Sequence, residues 1–460
     1  MFVVTLPPSA AKNPQAFALK AKREGADILE IRSDLTPRVQ PFRSTLPLLV
    51  SVRGTNDSLV DLLTPAFVDI EESSDAVWLP KRAKLILSFH DHDATPSLAV
   101  LKATANRMRK EKPWAIKIAT FVKSYNDLVT LKKLQDWLVS TGQRSIVLGM
   151  GPKAHLSRVT SPFCNVFTYA MLDPADAAAP GQLPMSFYAL MKGRKHPKLF
   201  GILGGAHITA SLSPVIHNAL FSRHKIDALY SCFPSDDFAA VTTLHTLGIK
   251  GLSVTDPFKR EAFEIASTLE PISQKLGVAN TLIRSGTKWR GFLTDSYGIQ
   301  EGYGALSKAK NVAILGAGGA VPSAILAVRS RSPKAVITVF ARDVKKAKKT
   351  LQAFGVNVDV LENAASFTAD AVICAVSADI ALPVPSPESK KSIAIDLRYG
   401  KETEFMKTAK RKKFRVHNGT NMLIHQALKQ FRHFTGKTPY DDDETFLRPI
   451  LTSFLSSHGQ

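Results

Sequence analysis

Through about the first 190 residues, eight short β-rich runs alternate with stretches able to form helices. No other feature narrows the possible folds as much. The runs are "FVVTL", "ILEIRS", "LPLLVSVR", "FVDIE", "KLILSFH", "AIKIAT", "RSIVLGM" and "NVFTYA". Between them, residues 97–110 and 125–140 repeat apolar side chains at three and four, the period of an amphipathic helix. Strands separated by helices pair in parallel, and eight is the number that closes a (β/α)8 barrel. An N-terminal (β/α)8 (TIM) barrel over residues 1–192 is the expectation.

Active-site groups of such a barrel sit at the C-terminal ends of its strands. Those ends carry Glu30 and Arg32 in "LEIRSD", Arg53 in "SVR", Glu71 in "VDIE", His90 in "SFHDHD" and Lys117 in "IKIA". Arg158 follows one turn past the seventh run. Lys117 stands out, because Ile116 and Ile118 flank it while Ala115 and Ala119 share its side. A buried amine must be paired or neutral. Neutrality suits a Schiff-base nucleophile. An ordinary lysine of pKa about 10.4 has roughly one amine in 2,500 uncharged at pH 7, so a shift of about three units is worth on the order of 4 kcal/mol. Desolvation and nearby cations such as Arg158 push that way. Imine catalysis on a carbonyl substrate follows, with His90 moving protons and Glu71 fixing its tautomer. Spacing alone leaves an aldolase and a dehydratase both open.

"EIRSD", "VDIE", "SFHD", "KIA", "MG" with "SR" at 157–158, and "APGQ" at 179–182 together resemble, in order, the type I 3-dehydroquinate dehydratases. The resemblance implies that Lys117 forms an imine with the C3 ketone of 3-dehydroquinate and that His90 removes the C2 proton, then assists departure of the C1 hydroxyl. It further implies that Glu71 orients His90, that Arg158 grips the substrate carboxylate, and that Glu30, Arg32, Arg53 and Gln182 hold the remaining oxygens. Two departures stand out: Ala178 occupies a usual Ser position, and "GTNDS" after Arg53 lacks the common Glu-Gly-Gly.

After the basic run "MKGRKHPK", residues 191–198, the α/β rhythm restarts with "LFGILG". A further unit opens with "VAILGAGGAVPSAILAV", residues 312–328. That stretch is uncharged for 17 residues, but Gly316, Gly318, Gly319 and Pro322 interrupt it, and it falls short of a membrane span. It reads as a buried strand, a glycine turn and a helix. Glycines there let backbone N–H groups approach a pyrophosphate at a helix N-terminus, which makes Gly316, Ala317, Gly318, Gly319 and Ala320 the candidate cofactor loop. The next strand ends in Arg342, with Lys345 and Lys346 close behind, where an NAD site would carry an acid. Cations suit a 2′-phosphate, and so NADP.

Upstream and downstream lie "SLSP", "SVTDPFK", "GVANT", "GFLTD" and "NGTNMLIHQAL". Together, in this order, they resemble shikimate dehydrogenase across roughly residues 198–440. The resemblance implies a substrate domain over 198–303 completed by helices in 419–460, and a Rossmann-type NADP domain over 304–418. It assigns Ser211 and Ser213 to the substrate carboxylate, and Thr255, Asn280 and Gln426 to carboxylate or hydroxyls. Lys259 with Asp295 becomes the catalytic pair, while Tyr399 and Gly419 line the cleft against the cofactor. Ser253, Leu293, Ala341 and Cys374 stand where that family usually reads Asn or, at 293, the Asn of Asn-Thr-Asp.

The first family's product, 3-dehydroshikimate, is the second family's substrate, so the expected partners are small molecules: 3-dehydroquinate, 3-dehydroshikimate and shikimate. The rival readings are an aldolase-like barrel joined to an NAD-dependent quinate dehydrogenase, and a basic regulatory protein on decayed enzyme folds. A net charge of +21 raises nucleic acid as a partner, but the excess is spread over both halves, as suits anionic substrates. Cys164, Cys232 and Cys374 match no metal or disulfide spacing, so a reducing cytoplasm and no metal are expected. "FVVTL" reads as a strand rather than a signal's apolar region, and Met1 is expected to begin the mature chain. Oligomeric state is not legible.

Overall fold

The computed structural model describes residues 1–54, 58–73 and 82–457, so the middle of "GTNDS" lies outside the described residues. The chain divides into two compact units, Met1–Lys250 and Gly251–Gln460.

In the first unit the eight expected strands form: β1 (Phe2–Thr5), β2 (Ile28–Arg32), β3 (Leu48–Ser51), β4 (Phe67–Glu71), β5 (Lys84–Asp91), β6 (Ala115–Phe121), β7 (Ser145–Met150) and β8 (Thr168–Met171). A two-residue strand, β9 (Leu183–Pro184), follows. All pair in parallel in the order β7-β6-β5-β4-β3-β2-β1-β8-β9. The helices between them are punctuated by local chemistry. Asn13 and Ser97 accept from backbone N–H groups at helix starts, and Ser124 with Asp127 forms a capping box on the helix Tyr125–Ser140.

Between β7 and β8 the ladder is interrupted and replaced by a side chain. The Asn165 amide accepts from Val147 N at 2.9 Å and donates to Val147 O at 3.1 Å, as a neighbouring strand would. Val166 N adds a bond to Ser145 O at 3.1 Å. Further up β8, the position is taken by β9, whose residues Leu183 and Pro184 register with Ala170 and Met171.

Strand parity arranges the barrel interior in layers. Val3, Ile28, Leu49, Phe67, Ile86, Ala115, Ile146 and Phe167 fill the lowest layer. Two residues further along each strand come Thr5, Glu30, Ser51, Asp69, Ser88, Lys117, Leu148 and Tyr169. A barrel core is ordinarily apolar throughout. Here the second layer is largely polar, and the third holds Arg32, Arg53, Glu71, His90 and Ala119 at the mouth.

Beyond the barrel, the first unit continues with parallel strands Lys198–Gly204 and Ala228–Pro234 around the helix Ser213–Arg223. The linker is pinned rather than loose: Arg194 is buried and donates to the Asn218 carbonyl at 2.8 Å and to Leu190 O at 2.9 Å.

The second unit starts within the strand Ile249–Val254, whose residues from Gly251 on run antiparallel to Thr281–Ser285, which pairs with Lys288–Phe292. It also holds a doubly wound parallel sheet of six strands. Their order is Asn357–Val360, Val336–Ala341, Asn311–Leu315, Ala371–Cys374, Ile393–Asp396 and Arg415–His417. The uncharged stretch near residue 312 is the central strand and the helix Val321–Arg331, and no described helix is long and apolar enough to cross a membrane. Helix Thr420–Thr435 packs closely on Asp295–Gly302 because a Cβ at Gly298 would lie 2.6 Å from Met422 O.

Candidate active sites

The barrel mouth gathers Glu30, Arg32, Arg53, Glu71, His90, Lys117, Arg158 and Gln182 around one cavity. Lys117, 6% exposed, donates to Asp69 Oδ2 at 2.8 Å and lies 4.6 Å from the centre of the Tyr169 ring. Asp69, wholly buried, also accepts from Ser88 Oγ at 2.5 Å and from two Arg53 nitrogens at 3.2 Å. Burial pushes its carboxyl up, but Arg53 and then Lys117 outweigh that and hold it well below the usual range. The sequence argument has this buried amine neutral; the structure places a carboxylate beside it. Lys117 escapes the cost of burial through a carboxylate partner instead. Asp69 escaped sequence reasoning, although its parity with Glu71 points it inward.

His90 Nδ1 meets Glu71 Oε1 at 2.5 Å, which leaves Nε2 for chemistry. Desolvation lowers the His90 pKa from its ordinary 6.5, the Glu71 bond opposes this, and the Lys117 charge adds to the lowering. The imidazole is thus neutral, as a base must be, to more acidic pH than a free histidine. The acidic limb of kcat/KM for the barrel reaction is expected below pH 6.5, and a limb above it would contradict this assignment.

Arg158, on the helix His155–Cys164, is 3% exposed and has no ion-pair partner among the described residues. Its Nε lacks any hydrogen bond, and its Nη2 makes only a long one, 3.4 Å, to Pro180 O. Burial lowers its pKa. A desolvated, underused guanidinium is suited to a carboxylate. Glu30 is held by Thr5 and Ser51 hydroxyls at 2.5 and 2.6 Å. Arg32 Nη1 donates to Ala178 O at 2.9 Å while Gln182 accepts from Ala178 N at 2.8 Å, so the backbone at this departure is clamped from both sides. His92, missed from the sequence, also lines the cavity, its ring parallel to that of His90 at 5.9 Å.

In the second unit Lys259 donates to Asp295 Oδ2 at 2.6 Å, and Asn280 Nδ2 donates to Asp295 Oδ1 at 2.8 Å. Asn280 Oδ1 accepts from Thr294 N at 2.8 Å, and a backbone N–H can only donate, so the amide orientation is fixed. Gln426 lies on the helix Thr420–Thr435 with a buried Oε1 lacking a partner among the described residues. Thr255 directly follows the strand Ile249–Val254, and Tyr399 is half-buried in the loop after Ile393–Asp396. Ser211 and Ser213 lie in the first unit, at the start of the helix Ser213–Arg223.

A separate cleft is lined by Gly316, Ala317, Gly318, Arg342, Lys346, Thr350 and the segment Ala375–Ser377. Gly316 has φ +103°, and a Cβ there would lie 3.1 Å from Val376, so this turn of the loop favours glycine. Asp343 does not compete for a ribose: its Oδ1 caps the next helix at Lys346 N, 2.9 Å away. Arg342 and Lys346 have no ion-pair partner among the described residues. The residues present fit a nucleotide with a 2′-phosphate. Gly319 and Ala320 form the turn into Val321–Arg331. Gly419 packs on backbone: its Cβ would lie 2.2 Å from Leu397 O, so its requirement for glycine is structural.

A barrel with a buried amine and a paired imidazole, joined to a nucleotide-binding sheet beside a lysine–aspartate pair, defines a two-site enzyme: a carbonyl lyase and an NADP oxidoreductase. Residues 2–187 match the Type I 3-dehydroquinase family. Residues 203–282 match the shikimate dehydrogenase substrate binding domain, 419–440 the shikimate 5′-dehydrogenase C-terminal domain, and 311–399 the family described as NADP oxidoreductase coenzyme F420-dependent. The chain is 31% identical to the shikimate dehydrogenase (NADP(+)) of Hyphomonas neptunium, covering 93% of that protein and 52% of itself. It is 24% identical to the chloroplastic bifunctional 3-dehydroquinate dehydratase/shikimate dehydrogenase of Arabidopsis thaliana, over 91% of this chain and 79% of that one. Among solved structures, shikimate 5-dehydrogenase from Thermus thermophilus in complex with shikimate matches 56% of this chain and 99% of its own, at 27% identity and a TM-score of 0.50. The chain belongs to the shikimate dehydrogenase family and carries a type I 3-dehydroquinase domain ahead of it.

Proposed function

We propose that the chain dehydrates 3-dehydroquinate to 3-dehydroshikimate in its barrel and reduces that product to shikimate with NADPH in residues 198–460. The observation that carries this reading is the pairing of Lys117 with Asp69 beside the Glu71–His90 couple, on the same chain as the Lys259–Asp295 pair.

In the barrel, Arg158 receives the substrate carboxylate, with Glu30, Arg32, Arg53 and Gln182 on the other oxygens. Lys117 gives up a proton, attacks the C3 ketone and releases water to form a protonated imine. That iminium carries the same charge as the ammonium it replaces, so Asp69 faces a cation again once the imine has formed. The cation acidifies C2, His90 takes its proton, and the C1–oxygen bond breaks. His90 returns the proton to the departing hydroxyl, and water then hydrolyses the imine to free Lys117.

In the second half, Lys259 donates to the ketone oxygen and protonates it as the alcohol forms, with Asp295 holding the ammonium and Asn280 holding Asp295. Thr255, Asn280, Gln426, Tyr399, Ser211 and Ser213 are assigned to the substrate. Gly316, Ala317 and Gly318 receive the pyrophosphate, with Gly319, Ala320 and Gly419 shaping the loops around it, and Arg342 with Lys346 take the 2′-phosphate. Bound NADPH supplies the hydride. Arg342→Ala is expected to raise KM for NADPH roughly 10- to 100-fold, the worth of a charge-assisted hydrogen bond, and to leave KM for NADH unchanged. Equal effects on both cofactors would remove Arg342 from the phosphate.

Residues 1–192, 198–303 with 419–460, and 304–418 are the three functional domains of this reading. Three free cysteines suit a reducing cytoplasm. Assay of shikimate and quinate with NADP+ and NAD+ tests the assignment, and a strong preference for quinate with NAD+ would overturn it.

A further inference from the structure

Ser253 stands where the dehydrogenase family usually has Asn, and the structure shows what fills the space. Ser253 and Thr281 are directly opposed across the antiparallel pair Ile249–Val254 and Thr281–Ser285. Both side chains are short and buried. Gln430, 3% exposed on the helix Thr420–Thr435, reaches between them. Its Oε1 accepts from Ser253 Oγ at 2.9 Å, and its Nε2 donates to Thr281 Oγ1 at 3.1 Å and to Asn280 O at 3.5 Å. The carbonyl of Asn280 can only accept, so the Gln430 amide has one orientation.

From Gln430 the bonds run unbroken to the catalytic pair. Thr281 Oγ1 donates to Asn280 Oδ1 at 3.0 Å, Asn280 Nδ2 donates to Asp295 Oδ1 at 2.8 Å, and Asp295 Oδ2 accepts from Lys259 at 2.6 Å. Asn280, Thr281 and Asp295 are all buried, where an unpaired polar group is costly and a complete network is rigid. Gln430 also lies one helical turn beyond Gln426, so the contact that aligns Asn280 fixes the height at which Gln426 is presented.

We propose that Gln430 is a positioning residue for the dehydrogenase, which with Ser253 replaces a single asparagine. It ties the C-terminal helix to Asn280 and thereby sets the Asp295–Lys259 pair and Gln426 in mutual register. The inference rests on the dehydrogenase reading above and concerns how this chain achieves it.

The test uses the full chain, with shikimate and NADP+ and with 3-dehydroquinate. Gln430→Met keeps the bulk but removes both hydrogen bonds. It is expected to lower kcat for shikimate oxidation roughly tenfold to a hundredfold, with KM for NADP+ and the dehydratase rate unchanged. Gln430→Ala combined with Ser253→Asn, which returns an amide to the strand, is expected to recover at least tenfold over Gln430→Ala alone. Parent kcat in Gln430→Met, or no recovery in the double variant, overturns the proposal. A fall in dehydratase rate alongside kcat also overturns it, since that marks general unfolding. Failure of the unmodified chain to oxidise shikimate with NADP+ would instead sink the dehydrogenase reading itself.

Discussion

Lys117→Arg is expected to abolish dehydration of 3-dehydroquinate while shikimate oxidation by the same chain proceeds at the parent rate. Arginine preserves the positive charge beside Asp69, so the buried carboxylate keeps a partner and the polar layer of the barrel stays balanced. What it removes is nucleophilicity, because a guanidinium remains protonated and forms no imine. The loss therefore separates covalent chemistry from electrostatics. Borohydride added with 3-dehydroquinate should trap an adduct on Lys117 in the parent and none in the variant. Dehydration persisting near the parent rate, or an adduct on another lysine, would remove the imine from the mechanism.

The converse holds in the other half. Lys259→Met is expected to lower kcat for shikimate oxidation by about 10²- to 10⁴-fold, the usual worth of a positioned proton-transfer group, without affecting dehydration. Methionine retains most of the side chain's bulk where the lysine is partly buried, and Asp295 stays held by Asn280 Nδ2 at 2.8 Å. The cofactor cleft contains neither residue, so KM for NADP+ should not move. A variant that loses cofactor affinity together with turnover would show that Lys259 supports the fold of the site instead of its chemistry.

Much of the first site was legible because a strand in a barrel has only two faces. Once "IKIA" is placed with Lys117 inward, the same parity brings Glu71, His90 and Arg53 to the mouth, and the structure gathers them there. Asp69 obeyed that rule too, but a single aspartate in an apolar strand gives no sign of which of several inward cations it will meet; that depends on stagger between neighbouring strands. The register sets Ser88 beside Lys117 and Ser51 beside Asp69, a relation spread over four strands and invisible in any one of them. Asp69 was missed for the same reason: desolvation can be foreseen from a sequence, whereas the partner that offsets it must be located.

In the second half, turns carry the chemistry, and turns have no period. "GFLTD" and "GVANT" could be recognised only together, since neither predicts that Asn280 Oδ1 faces Thr294 N. Gln430 was missed because it sits 177 residues from Ser253, at a helix position whose spacing reads as ordinary core. Gly419 was expected to serve the cofactor; the contact that excludes a side chain there is with Leu397.

The gap that Asn165 bridges gives the barrel a clasp. Seven of its eight joints are ladders of main-chain bonds, each backed by several others, while this one is made by the Asn165 amide and the single main-chain bond from Val166 N to Ser145 O. The two-residue strand pairs with β8 and begins immediately after Gln182, so the edge of β8 is covered next to a residue that lines the cavity. A cylinder joined at one seam by a side chain depends there on far fewer bonds than at the seven seams that are continuous ladders.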